Sequence, residues 1–159
     1  MDSSSDTEAA NDGTYEYDTE EDMINALEGN ELCWGTLGLF PEKAACLLAQ
    51  AAKNGWKDAV TLMLEDQEYF DVDVVAMGLD TSLDTDHMTP LIAAIKWGQV
   101  DMVRMLVNKF NADVQDLCRH KNSHHWCNCK LCPLETAVEC ENVEMINILK
   151  AKGAKYSQL

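Results

Sequence analysis

PLIAAIKWGQVDMVRMLV, residues 90–107, can be laid without a gap over LLAQAAKNGWKDAVTLML at 47–64 and over PLETAVECENVEMINILK at 133–150. The offset is 43 residues both times. A fixed period of this length marks a repeat architecture, in which each unit buries its apolar face only by stacking on its neighbours. Leu48, Leu91 and Leu134 coincide, as do Ala52, Ile95 and Val138 in the first half of each copy. Ala59, Met102 and Met145 coincide in the second half, beside Val60, Val103 and Ile146. These positions are expected to face the core. Asp58, Asp101 and Glu144 also fall together, in the first turn of the second half, where a carboxylate lies favourably against the exposed amides of a helix start.

Each copy reads as a helical hairpin. PEKAACLLAQAAKNG places Pro41 at a first helical position and Gly55 where a helix should stop. WKDAVTLMLEDQ comes directly after it, and Val60, Met63 and Leu64 recur at helical spacing, which gives a second, antiparallel helix. Upstream, Met23, Ile24 and Leu27 come after an acidic first turn, Glu20 to Asp22, and predict a short helix ended by Gly29. The apolar, glycine-punctuated CWGTLGLF, residues 33–40, is expected to pack as part of a cap. Residues 1–19 hold almost no aliphatic side chains and read as a disordered acidic tail, because they cannot bury enough surface to offset the entropy of ordering. The organisation expected is a tail over 1–19, an N-terminal cap over 20–43 and a repeat domain over 44–159. Its copies lie at about 44–66, 87–113 and 130–155.

The middle copy resembles the ankyrin repeat. Thr89-Pro90-Leu91 opens its inner helix, Ala94 is the small packing residue, Gly98 makes the turn and Leu106 closes the outer helix. Asn111-Ala112-Asp113 stands where that family usually has Gly-Ala-Asp. Copy one keeps Ala51, Gly55 and Leu62-Met63-Leu64, with Cys46 at the threonine position. Copy three keeps Pro133-Leu134, Ala137 and Gly153-Ala154, with Cys132 for the threonine and Glu141 for the glycine. Ankyrin repeats usually recur at about 33 residues, so each connection here is about ten residues longer. The additions fall in 67–88 and 110–131, the finger loops. The resemblance implies an all-α ankyrin-type helix-turn-helix solenoid of about three repeats, with extended finger loops and an N-terminal helical cap. It further implies a module that binds another protein, as an adaptor or inhibitor. Insertions in such solenoids project to one face, commonly the binding face.

Composition narrows the partner. Residues 1–31 hold eleven acidic side chains and no Lys or Arg, out of a formal net charge of −16. The remainder carries seventeen Asp and Glu against twelve Lys and Arg. Nucleic acid and anionic membranes both demand a basic patch that displaces counterions, so neither is an expected partner. There is no apolar run long enough for a transmembrane helix and no basic leader before an apolar stretch. Seven cysteines, three of them crowded at Cys127, Cys129 and Cys132, suit chelation in a reducing compartment better than a disulfide framework. A monomer in the cytoplasm or nucleus is expected.

The second finger, DLCRHKNSHHWCNCKLCP over 116–133, gathers Cys118, His120, His124, His125, Cys127, Cys129 and Cys132. Thiolates with imidazole suit tetrahedral zinc, and Cys127 and Cys129 can turn both sulfurs toward one ion in an extended strand. Cys132 adds a third sulfur at a helix start, where the macrodipole favours the thiolate. His124 is the fourth ligand chosen, with Cys118, His120 and His125 as alternates and Trp126 as a shield. The stretch is similar to the His-x-x-x-Cys-x-Cys-x-x-Cys zinc motif in the cytoplasmic N-terminal region of C-type transient receptor potential channels. Ser123 stands at that motif's histidine, with His124 one residue on. The competing use is plain packing: Cys46 and Cys132 share one repeat position, so a cysteine there also serves as a small substitute for threonine.

Catalysis is not expected. A hydrolytic zinc needs an open coordination position and a nearby general base, as in His-Glu-x-x-His or the deaminase signature, and no Glu lies between Asp116 and Pro133. A small metal-dependent hydrolase therefore ranks last, behind a zinc- or redox-responsive regulator acting through the Cys/His finger. Lys96 and Trp97, at the end of the second inner helix, are the candidate partner-binding residues, since tryptophan often anchors interfaces. Trp97 packed against the long finger is the alternative. Ser3, Ser4, Ser5 and Thr7 among acidic residues resemble acid-directed kinase sites, although such runs more often only keep a chain soluble.

Overall fold

A computed structural model of the chain describes residues 17–28, 41–66, 72–73, 88–115 and 132–156. Among these residues all regular structure is helical. The elements are α1 (Glu20–Glu28), α2 (Pro41–Asn54), α3 (Lys57–Asp66), α4 (Pro90–Lys96), α5 (Val100–Asn108), α6 (Pro133–Glu139) and α7 (Val143–Ala151). The cap segment 33–40, most of both finger loops and residues 1–16 lie outside the described residues.

Three hairpins arise because the same turn is built three times. Gly55 and Gly98 both hold φ at +74°, and Glu141, 43 residues after Gly98, holds +54°. Each turn is closed by the same pair of backbone bonds. Gly55 and Trp56 donate to Ala52 and Ala51, Gly98 and Gln99 to Ile95 and Ala94, and Glu141 and Asn142 to Val138 and Ala137. Glutamate in this left-handed conformation costs about 1–2 kcal/mol that glycine avoids. The third hairpin is therefore the strained one.

The hairpins stack in two layers. The inner helices α2, α4 and α6 pack side by side, while in the outer layer α1 lies on α3 and α5 on α7. Close approach in the inner layer comes from small residues: Ala49, Ala51, Ala52, Ala93, Ala94 and Ala137 are all fully buried. Leu48, Leu91, Leu134, Met102, Met145, Val60 and Val103 fill the space between the layers. The outer helices α3 and α5 are joined by side chains, with Lys109 Nζ 2.8 Å from Glu65 Oε1 and Thr61 Oγ1 3.6 Å from Met105 Sδ. Across the next junction, Arg104 bridges Asp101 at 3.0 Å and Glu144 at 2.6 Å.

The N-terminal end is closed by half a repeat. α1 occupies an outer-helix place and buries Met23, Ala26 and Leu27. Its Glu20 carboxylate accepts from the Asp58 and Ala59 amides at 2.9 and 3.1 Å, satisfying the opening donors of α3. Thr19 Oγ1 accepts from the Asp22 amide at 3.1 Å and starts α1. Residues 17–19, counted into the tail on sequence grounds, are placed: Tyr17 is half-buried, and its amide donates to Gln50 Oε1 at 3.3 Å.

The other end departs from the expected core. Ala52 and Ile95 are fully buried, whereas Val138, at the same position of the third copy, is 40% exposed, and Ile146 is only half-buried. In the first two copies the next hairpin covers this side, and no helix pair covers it here among the described residues. The register also shifts beyond the outer helices. Ala112 donates to Leu106 O, six residues back, through Asn111 at φ +60°, but Ala154 donates to Leu149 O, five back, through Gly153 at +86°. The 43-residue offset therefore becomes 42 at this cap. The finger contacts keep to the new register: Asp73 Oδ1 accepts from the Asp113 amide at 2.8 Å, and Gln115 Oε1 accepts from the Lys155 amide.

Gln99 sets the tolerance of the first turn. Its Nε2 donates to Lys53 O at 3.0 Å, and a Cβ on Gly55 would meet its Oε1 at 2.5 Å, whereas a Cβ on Gly98 would meet nothing. Gly55→Ala is expected to destabilise by roughly 2–3 kcal/mol and Gly98→Ala by about 1 kcal/mol, in urea unfolding. Adding Gln99→Ala should recover part of the Gly55→Ala loss. Equal losses at the two glycines would show that the Gln99 contact carries nothing.

Candidate partner-binding surface

The inner helices end within one residue of the same register, so the residues at their ends form a row along the turn side of the stack. Lys53 and Asn54 end α2, Lys96 ends α4 with Trp97 just past it, and Glu139 ends α6 with Cys140 just past it. Trp97 is the first residue past α4, with its amide donating to Ala93 O at 3.2 Å and its ring half-buried. Two ammonium groups share that ring, Lys53 Nζ at 5.0 Å from its centroid and Lys96 Nζ at 5.2 Å. Contacts of this kind contribute about 0.5–1 kcal/mol where exposed. They also hold two positive charges against an aromatic face in a chain of net charge −16. In the third copy the sign reverses, because Glu139 stands where Lys53 and Lys96 stand.

The backbone beneath the row is fixed from the next repeat along. Gln99 Nε2 holds the Lys53 carbonyl, and Cys140 Sγ donates across 3.9 Å to the Lys96 carbonyl. Helix C-termini leave such carbonyls unsatisfied, so each side chain from the next hairpin stiffens the end of the one before. Lys96 and Trp97, expected from sequence, do come together on this surface. Lys53 is not among the residues expected from sequence, although it lies 43 residues before Lys96 and the period points to it. Gln99 and Cys140 carry no sequence signal, since their role depends on where the neighbouring helix ends.

Beside this row an open cleft of about 340 Å³ crosses the turns, lined by Gly55, Lys57, Gly98, Gln99, Asp101 and Glu144 among others. Both of its carboxylates are ion-paired with Arg104. It holds no nucleophile beside a general base, the arrangement that covalent or acid–base catalysis calls for.

Of the expected zinc ligands, only Cys132 lies among the described residues; His124, Cys127 and Cys129 do not, nor do the alternates Cys118, His120 and His125. Cys132 precedes α6 and is fully buried, and its Sγ donates to Lys155 O at 3.5 Å. That bond requires the thiol form, whereas a metal ligand is a thiolate. At the equivalent position Thr89 Oγ1 accepts from the Ile92 amide at 3.2 Å and caps α4, but Cys132 makes no such cap on α6. Among the described residues no group of three or more His, Cys, Asp or Glu is placed to hold a metal.

A family model described as "Ankyrin repeats (3 copies)" matches residues 23–117. The chain belongs to the ankyrin-repeat family. The match begins within α1 and ends beyond α5, so it takes in the capping half-repeat, while the third hairpin extends the ankyrin stack beyond the matched residues. No curated protein and no solved structure matches the chain. Ankyrin repeats generally mediate protein–protein interaction and are typically non-catalytic. Among the described residues no helix is long and apolar enough to cross a membrane.

Threonine at position 132 would restore the cap that Thr89 provides at nearly unchanged volume. In EDTA-treated protein, Cys132→Thr is expected to leave the melting temperature unchanged or to stabilise by up to about 1 kcal/mol. A large loss of stability would mean that the sulfur does more than pack and donate.

Proposed function

We propose that this ankyrin chain is an adaptor or inhibitor that binds a partner protein through its inner-helix surface at Lys96 and Trp97, together with the long finger loops. The observation that carries this reading is Trp97, half-buried and flanked by Lys53 and Lys96, on backbone braced by Gln99 and Cys140. A tryptophan held in place before binding loses little freedom on docking, which is how a few aromatic anchors come to dominate an interface. The cations beside it select an acidic or hydrogen-bond-accepting partner surface.

Affinity capture from native extract, with wild type and Trp97→Ala compared by quantitative mass spectrometry, tests the reading. Partners using this surface should be depleted at least about tenfold, the effect of removing one hot-spot side chain. The melting temperature of the variant should stay near wild type. An unchanged partner list removes Trp97 from the interface.

The second finger is proposed to be fixed by a structural zinc held by His124, Cys127, Cys129 and Cys132, with Cys118, His120 and His125 as alternates. Support comes from the density of soft ligands in the stretch and from its length, since a loop of this size gains most from a cross-link. Cys132 would join the metal only by giving up its proton and its bond to Lys155 O, so one of the alternates replaces it if that bond persists. Purified protein should carry one equivalent of zinc by elemental analysis, and EDTA should lower its melting temperature. Metal-free protein whose melting ignores EDTA would end the zinc proposal and leave the partner surface untouched.

A further inference from the structure

The outer layer begins and ends on closely similar helices of opposite charge. DMINALE, residues 22–28 of α1, matches EMINILK, residues 144–150 of α7, at Met23 and Met145, Ile24 and Ile146, Asn25 and Asn147, and Leu27 and Leu149. In both helices the methionine and leucine are buried, the isoleucine is half-buried and the asparagine is exposed. The outward strip of α1 is therefore Glu21, Ile24, Asn25 and Glu28, and that of α7 is Val143, Ile146, Asn147 and Lys150. Each strip has the i, i+3, i+4, i+7 spacing of a single helix face. Inside the stack such a face is covered: Val103 and Val107, at the places of Ile146 and Lys150, are fully buried. At the ends it is not, since α1 packs on α3 and α7 on α5 and α6, and among the described residues no helix lies beyond either one. Val143 is 67% exposed, and Lys155 with the half-exposed Tyr156 lines an open groove beside Lys150. The acids nearby are spoken for, because Glu144 pairs with Arg104 and the half-buried Glu135 has a partner of its own.

From these matched strips we infer that the occupant of the open α7 face is α1 of a second copy, so that chains stack head to tail and the outer layer runs on from one molecule into the next. Val143 and Ile146 meet Ile24, the two asparagines pair amide to amide, and Lys150 faces Glu28, as parallel outer helices require. Charge selects the unlike ends: two α1 strips would set acid against acid, and two α7 strips lysine against lysine. A contact between different faces does not close on two copies, so the assembly grows by addition at its ends. Two helical turns bury less than a permanent interface, and a net charge of −16 opposes association. The contact is therefore weak and reversible, with a Kd on the order of 0.1–1 mM. The monomer expected from sequence is its dilute form.

The test is sedimentation equilibrium of the full chain at physiological salt and concentrations up to about 1 mM, with Lys150→Glu, Glu28→Lys and the double variant. Wild type is expected to show a mass that rises above the monomer with concentration. Each single reversal sets like charges together and should weaken association roughly three- to tenfold. The double variant should recover it, and so should an equimolar mixture of the two singles, because opposite charges then meet again. Both side chains are exposed and neither has an ion pair within its own chain among the described residues, so the melting temperatures of the variants should match wild type. Wild type that stays monomeric at the highest concentration overturns the inference. Association that both single reversals leave unchanged, or that the double variant fails to recover, also overturns it. So does a loss confined to Lys150→Glu, because the α7 face would then take something other than α1.

Discussion

Each hairpin of this ankyrin stack depends on one residue held at positive φ between its inner and outer helix. That residue reverses the chain within a single turn, which puts the two layers in contact. The first two turns use glycine. The third uses Glu141 and accepts the strain, in the same hairpin whose Val138 and Ile146 lie open. Packing cover therefore declines along the stack. The N-terminal hairpin is covered by α1, has its outer helix capped by Glu20 and is clasped by Gln99, while the third has only one neighbour among the described residues.

The helical hairpins were readable from sequence because turn chemistry and apolar spacing agreed in all three copies. Pro41, Gly55, Gly98 and the buried alanines each signalled locally the part they play globally. The places where sequence fell short are places where a contact depends on a neighbouring repeat. Val138 occupies a core position by alignment, yet its burial depends on a hairpin that would have to come after it. Gln99 reads as a neutral turn residue and is instead the brace on Lys53. The offset of 42 beyond the outer helices is invisible in an ungapped alignment, because the extra residue before Asn111 falls past the last aligned position.

The candidate surface was half legible. Lys96 and Trp97 could be picked from their place at the end of an inner helix, and the structure adds Lys53 by packing α2 against α4. Cys132 is the described member of the candidate metal site. Sequence density makes it a candidate metal ligand, and the structure adds that its sulfur is buried with Sγ 3.5 Å from the Lys155 carbonyl. Thr89 and Cys132 both precede their helices at this position, and only the threonine caps its helix. Thr89 and Cys132 share the same extended backbone with different chemistry, whereas Cys46 lies inside α2.

The open side of the third hairpin also has a bearing on how such a chain could be lengthened. Lys150 stands where the second copy has the fully buried Val107 and Glu135 where it has the buried Ile92, while Val138 and Ile146 remain apolar. It is a junction half converted into a surface. A grafted hairpin would find apolar footing at Val138 and Ile146 and would have to accommodate both Lys150 and Glu135.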